Sequence, residues 1–150
     1  MTASHLVSSD LRRARAGAQV LSTQLGARLS IDRRWRELDF GDWNGADPAT
    51  LERQALARFW EDPEGHAPPG GERWSELLAR VRAALADLTA DALVVTHGGA
   101  MRAAIAVLTG LGPGQVWACD LPYCALLSVR IWPGTPISGQ IVGLRSEEAA

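Results

Sequence analysis

Lysine is absent from this 150-residue sequence, and all 15 basic side chains are arginines. Alanine is abundant as well, a combination typical of a protein encoded in a GC-rich genome. The formal net charge at pH 7 is −2, which argues against non-specific binding to nucleic acids because such binding needs a basic surface. Arginine is therefore the only permanent cation in the chain that can hold an anionic group, and its forked guanidinium suits that task.

Cysteine and histidine are scarce. Two cysteines, Cys119 and Cys124, cannot form a disulfide framework, and three histidines offer no zinc-binding spacing. We therefore expect buried, reduced thiols and no bound metal. The N-terminus lacks a signal-peptide pattern, and the apolar runs are too short to cross a bilayer. Together these absences predict a soluble cytoplasmic protein that binds neither membranes nor nucleic acids.

The apolar content is high enough for a folded core. Hydrophobic residues make up 47% of the chain, which predicts a single domain over residues 1–150. Ser8 and Ser9 are expected to cap a first helix that ends at Gly26. Further helices are predicted at 48–60, 74–88 and 99–108, and strands at 5–7, 29–31, 92–96, 125–132 and 139–145. The last two strands form a predicted hairpin, and the alternation before them favours an α/β fold with a largely parallel sheet.

The segment "VVTHGGAMRAA" (94–104) places a histidine where a strand ends and a helix begins. The carboxyl ends of strands in α/β proteins are common ligand sites, and the first N–H groups of a helix attract anions. Gly98 and Gly99 leave no side chain between those N–H groups and a bound group. The segment therefore predicts an anion pocket with His97 beside it.

Two other segments carry charged residues at defined places. "SSDLRRARAGA" (8–18) places arginines in the first turns of a helix that follows a strand, and "WRELDFGDWNG" (35–45) places carboxylates in an aromatic loop. Together with "PPGGE" (68–72) and "THGG" (96–99), these segments resemble the motifs of the histidine phosphatase superfamily, which has the phosphoglycerate mutase-like fold. The resemblance extends over essentially the whole chain.

The resemblance implies a fold and a reaction. The implied fold is a three-layer α/β/α sandwich with a mostly parallel sheet. The implied reaction is hydrolysis of a phosphate monoester without a metal or other cofactor. In that family a histidine in an N-terminal Arg-His-Gly motif attacks phosphorus and becomes a phosphohistidine. Two arginines and a second histidine hold the phosphoryl oxygens, and a glutamate protonates the leaving alcohol.

Four residues of this sequence match the family's site. The resemblance implies that Arg13 clamps the phosphate, that Glu37 is the general acid and that His97 is the second histidine. Gly98 is expected to bring backbone N–H groups close to the same phosphate. The residue types suit these roles, because guanidinium binds phosphate oxygens in pairs and a carboxyl group beside a dianion tends to keep its proton.

Other residues compete for two of these roles. Arg12 and Arg15 lie beside the proposed phosphate clamp, and only the register of the family motif separates them from it. Asp39 and Asp42 are alternatives to the glutamate as proton donor. Arg102, one helical turn after the histidine, is expected to form a local salt bridge.

The Arg-His-Gly motif itself is absent, because only His97 is followed by glycine. In the family that motif ends a first, central strand, and a helix precedes the "SSDL" strand. We therefore expect this chain to lack the first central strand and helix, and with them the nucleophile and one phosphate-binding arginine. Its own turnover is then doubtful. Since Arg13, Glu37 and His97 are all retained, a start assigned too far downstream is favoured over a degenerate copy.

The resulting prediction is a phosphomonoesterase acting on a small phosphorylated metabolite. The "PPGGE" loop and the ending "LPYCALLSVRI" (121–131) resemble α-ribazole phosphatases, so α-ribazole 5′-phosphate of cobalamin synthesis is the first substrate to consider. A broad-specificity sugar-phosphate phosphatase and a non-catalytic phosphate-binding or interaction module are the alternatives. An exposed sheet edge would favour a homodimer.

Overall fold

A three-stranded parallel sheet lies at the centre of the fold. The computed structural model describes residues 5–146, and in it β1 (His5–Ser8) lies between β2 (Arg28–Ile31) and β3 (Ala92–Val95). Ser8 at the end of β1 is opposite Ile31 on one side and Val95 on the other. The predicted parallel sheet is confirmed, and the carboxyl ends of its three strands meet at one edge.

Helices cover both faces of this sheet. They are α1 (Arg12–Leu25), α2 (Arg53–Glu61), α3 (Trp74–Ala86), α4 (Gly98–Thr109) and the short α5 (Pro113–Val116). Leu6 of β1 packs with Ala18 on the α1 side, whereas the next residue, Val7, belongs to the larger core formed by α3 and α4. This alternation along one strand gives the three-layer α/β/α arrangement that the sequence predicts.

The predicted hairpin is also present. It consists of β4 (Leu126–Trp132) and β5 (Ser138–Arg145), which pair antiparallel with an irregularity at Ser128 and Val129. Within residues 5–146, no backbone pairing joins β4 to β3, and an open cavity is lined by both strands. β3 is therefore half-buried, although its apolar residues suit a strand that is covered on both faces.

Two predicted helix starts are wrong. α1 begins at Arg12, and its preceding residue, Leu11, makes no side-chain capping bond. The predicted capping residue Ser9 lies two residues before Leu11, and its hydroxyl accepts from the Leu11 N–H at 3.1 Å without capping the first helical N–H groups. The second helix begins at Arg53 instead of residue 48, because the Glu52 carboxylate caps it and residues 48–50 form a separate 3₁₀ turn. Gly26 does end α1, with a φ of 60°.

The segment that includes the predicted aromatic loop contains short 3₁₀ helices at Arg33–Trp35 and Gly41–Trp43. Residues 36–45 (the 36–45 loop) lie directly against residues 62–72 (the 62–72 loop). The N–H of Asp42 donates to the carbonyl of Pro69 at 2.8 Å, and a side chain on Gly41 would collide with the backbone of Pro69 and Gly71. Gly41 also has a φ of 52°, so glycine is required there for two independent reasons.

An aromatic cluster supports these loops. The fully buried ring of Phe59 packs edge-on against Phe40 and Trp43 of the 36–45 loop.

The two cysteines are free, but Cys119 is half-buried and Cys124 is exposed, so the prediction of buried thiols is wrong. Among the helices in the described part of the chain, none has both the length and the apolar character to cross a bilayer.

Candidate functional site

His97 lies where the edge of the sheet meets the first turn of α4. It is the residue before that helix, and only 7% of it is exposed. Its Nε2 atom is 3.0 Å from the hydroxyl oxygen of Ser9, which directly follows β1 and is fully buried. The Ser9 N–H in turn donates to the carbonyl of Val95 at 3.1 Å. Parallel pairing of β1 and β3 thus fixes the imidazole from the neighbouring strand.

The electrostatic surroundings keep this imidazole neutral. Burial, followed by the positive charges of Arg13 and Arg80, lowers the pKa of His97 from 6.5 to about 4. At neutral pH the ring therefore carries one N–H donor and one acceptor nitrogen. A dianion bound beside it would offset the arginine charges and favour the protonated form.

Arg13 lies in the first turn of α1 and faces the same cavity as His97. Among residues 5–146, no carboxylate lies within 4.0 Å of its guanidinium, so that group is available to an anion. All three arginines are exposed, but Arg12 and Arg15 do not line the cavity. The structure therefore separates the three neighbouring arginines by position, which the helical pattern alone could not do.

Glu37 reaches the site from the 36–45 loop. Its Oε1 atom accepts a hydrogen bond from the N–H of Leu38 at 2.8 Å. A Cβ at Gly99 would collide with that same oxygen, so the carboxylate lies directly against the first turn of α4. The missing side chain at Gly99 thus admits Glu37, a role that the sequence did not reveal.

The two alternative carboxylates have other positions. The Asp39 carboxylate accepts hydrogen bonds from the N–H of Gly41 and the amide of Asn44, and these bonds hold its pKa below the usual value. It braces the 36–45 loop. Asp42 is exposed and does not line the cavity. Asp39 also lines the cavity, but Glu37 is the carboxylate of this segment that lies against the first turn of α4.

Gly98 is the first residue of α4 and also lines the cavity. The first N–H groups of a helix have no partner within the helix and carry its positive dipole end. Arg13, Glu37, His97 and Gly98 all line one open cavity, although they are up to 85 positions apart in the chain; Arg13 is near enough to His97 to lower its pKa, and Glu37 lies against Gly99. The cavity combines a forked cation, a helix N-terminus, an imidazole and a carboxyl group, which are the groups needed to bind a phosphoryl group and donate a proton to its leaving oxygen.

Arg80 is a cavity residue that sequence reasoning missed. It extends from α3 to the 36–45 loop, and its charge contributes to the low pKa of His97. The sequence feature that could have indicated its role is its position beside Val81 and three residues after Leu77, at the border of the buried apolar stripe of α3. Its guanidinium is bonded to Glu72 and to three backbone carbonyls.

Two further polar groups lie near the site. Asp10 forms two hydrogen bonds of 2.6 Å with the guanidinium of Arg36, which join the start of α1 to the 36–45 loop.

The predicted local salt bridge of Arg102 is absent from the described residues. The Arg102 guanidinium instead lies over the ring of Trp117, 5.7 Å from its centroid, because the side chain extends towards α5. Nowhere in residues 5–146 do three His, Cys, Asp or Glu side chains cluster as a metal site would require.

Comparison with curated proteins gives relatives of which some are phosphatases by name and others are named probable phosphoglycerate mutases. The chain is 32% identical over 133 residues to "Putative phosphoserine phosphatase 2" of Hydrogenobacter thermophilus, covering 84% of this chain and 66% of that protein. It is 36% identical over 121 residues to glucosyl-3-phosphoglycerate phosphatase of Mycobacterium tuberculosis, covering 71% of this chain and 54% of that protein. The chain therefore spans less than two thirds of the length of these relatives.

Solved structures share the fold. A mycobacterial glucosyl-3-phosphoglycerate phosphatase in complex with inorganic phosphate superposes with a TM-score of 0.80 at 28% identity, over 93% of this chain and 75% of that one. A "putative alpha-ribazole-5'-P phosphatase" of Escherichia coli superposes with a TM-score of 0.78 over all of this chain and 76% of that one. At 21% identity, this second match indicates the fold alone. The model of the histidine phosphatase superfamily (branch 1) matches residues 1–141, and the chain belongs to that family.

Proposed function

We propose that this chain binds the phosphoryl group of a small phosphate monoester and serves its hydrolysis. The observation that carries the proposal is the meeting of Arg13, Glu37 and His97 in one cavity at the N-terminus of α4. The family membership and the names of the relatives support it.

Each side chain has a distinct task in this proposal. Arg13 donates two hydrogen bonds to phosphoryl oxygens, and the first N–H groups of α4 approach the same oxygens through Gly98. His97 donates an N–H to the charge that develops on the transferring group. Glu37 gives its proton to the leaving oxygen when the P–O bond breaks, so an alcohol leaves instead of an alkoxide.

The attack on phosphorus needs a further group. The resemblance assigns it to an Arg-His-Gly histidine, which would form a P–N bond as the P–O bond breaks and would pass the phosphoryl group to water. No residue in this sequence matches that motif. Neither His5 nor His66 lines the cavity, and His97 is held by Ser9. A second candidate function is a module that binds phosphate without turning it over, which needs only Arg13, His97 and the first turn of α4.

The substrate belongs to the same proposal. The relatives' names suggest phosphoserine and glucosyl-3-phosphoglycerate, and the "PPGGE" and "LPYCALLSVRI" segments suggest α-ribazole 5′-phosphate or a range of sugar phosphates. Steady-state hydrolysis of these esters, compared by kcat/KM, would rank them.

Two further parts of the proposal concern the cellular location and the oligomeric state. The two free thiols support a cytoplasmic location. Exposed Trp132, Val142 and Leu144 on the hairpin support a homodimer, because water-exposed apolar side chains favour association. Light scattering at micromolar concentration would give the mass of the assembly.

Binding and turnover are tested separately. Calorimetry with inorganic phosphate should give a dissociation constant that Arg13→Ala weakens by about 10- to 100-fold, the loss of a charged hydrogen-bond donor. Arg12→Ala is the matched control and should leave the constant unchanged, since that arginine lies outside the cavity. Hydrolysis of p-nitrophenyl phosphate, abolished in His97→Ala, would support the phosphatase. Binding without hydrolysis would favour the binding module, and absence of both would refute the proposal.

A further inference from the structure

Arg80 combines an ion pair and three backbone contacts in one side chain. Its Nε and Nη2 atoms donate to the two carboxylate oxygens of Glu72 at 2.6 and 2.8 Å. Its Nη1 atom donates to the carbonyls of Arg34 and Arg36 at 2.7 and 2.8 Å, and Nη2 donates to the carbonyl of Glu37 at 2.9 Å. The guanidinium is thus fully engaged within the protein.

These contacts are made at the backbone that carries the proton donor. The 36–45 loop has no strand partner, so its position depends on such bonds. The Arg80 and Glu72 side chains are only 21% and 13% exposed, which limits competition from water. Glu72 also accepts from the N–H of Asp39 at 3.2 Å, and its own N–H donates to the Asp39 carbonyl at 2.8 Å.

We propose that Arg80, paired with Glu72, is a positioning residue that holds the Glu37 carboxylate against the first turn of α4. The inference rests on the proposed function, in which Glu37 protonates the leaving group. Arg80 donates to the backbone carbonyl of Glu37 on one side, and the absent side chain at Gly99 makes room for the Glu37 carboxylate on the other.

The alternative is that Arg80 binds the phosphate itself, since it also faces the cavity. Its Nε and both Nη atoms already donate at 2.6–2.9 Å to oxygens of the protein, which leaves Arg13 as the better placed anion ligand. A lysine could not reproduce the arrangement, because one ammonium group cannot reach a carboxylate and three carbonyls in a fixed fork.

The leaving group provides the test. Positioning of an acid matters for an alkyl phosphate, whose alkoxide must be protonated, and matters little for p-nitrophenyl phosphate, whose leaving group is stable as an anion. In Arg80→Met we expect kcat for glycerol 2-phosphate to fall by about 10²-fold, the usual contribution of a general acid. We expect kcat for p-nitrophenyl phosphate to fall by less than about 10-fold, and KM and the phosphate dissociation constant to stay within about threefold.

The controls lie on the same helix. Arg82→Met removes an exposed arginine two residues away and should behave as the unmodified protein. Arg80→Lys keeps the charge and should recover only part of the loss, and it replaces Arg80→Met if that variant does not fold. Equal losses on the two esters, or a large loss of phosphate affinity, would overturn the proposal in favour of a purely structural or a phosphate-binding role.

One measurement does not depend on turnover. The Leu38 N–H is bonded to the Glu37 carboxylate, so its hydrogen exchange reports where that carboxylate lies. We expect its exchange to be at least about tenfold faster in Arg80→Met, and unchanged in Arg82→Met. If the unmodified chain hydrolyses neither ester, the proposed hydrolysis by this chain is refuted. The exchange measurement then still decides whether Arg80 positions the Glu37 carboxylate. Unchanged exchange in Arg80→Met would refute it.

Discussion

The buried, neutral imidazole of His97 predicts a specific loss of stability in acid. In the unfolded chain a histidine titrates near its ordinary pKa of 6.5, whereas burial and the two arginine charges lower the folded value to about 4. Below pH 6.5 the unfolded state therefore binds a proton that the folded state rejects. The contribution of the neutral ring to stability is complete above pH 6.5 and is lost as the pH falls towards 4.

The magnitude follows from the gap between the two values. One pKa unit corresponds to about 1.4 kcal/mol, so a gap between 6.5 and about 4 amounts to about 3 kcal/mol. Because the residue is only 7% exposed, screening by solvent reduces this figure little. A loss of about 3 kcal/mol is a large part of the 5–15 kcal/mol that stabilises a typical domain, to order of magnitude.

Urea unfolding of the unmodified protein and of His97→Gln, at intervals between pH 4 and 7.5, measures this contribution. Glutamine keeps a polar atom near Ser9 but does not titrate. The difference between the two free energies of unfolding should change by about 3 kcal/mol over this range, with the unmodified protein losing stability in acid. His66→Gln, which removes an exposed imidazole, is the control. If the curves for the unmodified protein and His97→Gln run parallel, the assignment of a neutral buried imidazole is wrong.

Two further substitutions test the packing around the site. Gly99→Ala should displace the Glu37 carboxylate from the Leu38 N–H and speed the hydrogen exchange of that amide, because the new methyl group collides with the Glu37 Oε1 atom; Gly114→Ala, where an added methyl group meets open space, should not, and equal effects would contradict the close approach. Asp10→Asn should cost at most about 1 kcal/mol at pH 7, since its partner Arg36 is partly exposed. The Arg36 guanidinium lowers the pKa of Asp10, so this contribution exists above the ordinary value of 3.8 and is lost as the pH falls through the lower folded value; the free energies of unfolding of the unmodified protein and Asp10→Asn should therefore differ at pH 7 and approach each other as the pH is lowered below 3.8.

The regular elements could be predicted because their patterns are local. The apolar stripe of α3, the valines of β3 and the alternation of β4 and β5 each specify an element from its own residues. Gly26 ends α1 as predicted, and Gly110 ends α4 in the same left-handed conformation. The position of His97 followed from the same logic, since a residue between a strand and a helix must lie at the edge of the sheet.

The rest depends on contacts between distant segments. The sequence could not show that the Ser9 hydroxyl, besides accepting from the Leu11 N–H, contacts His97, because that contact depends on the pairing of β1 with β3. Nor could it show Arg80 beneath the 36–45 loop, 43 residues from Glu37. The start of α2 was misjudged for a local reason, since Glu52 is a competent cap and the proline at 48 opens only a single turn.

The crossing of backbones at Gly41 and Gly71 has a consequence for how this protein can be altered. The two loops touch without any intervening side chain, so neither can be lengthened, replaced or shifted unless the other changes with it. Engineering of new selectivity should therefore exchange both loops together as one cassette, and chimaeras that inherit only one of them are expected to misfold at this junction.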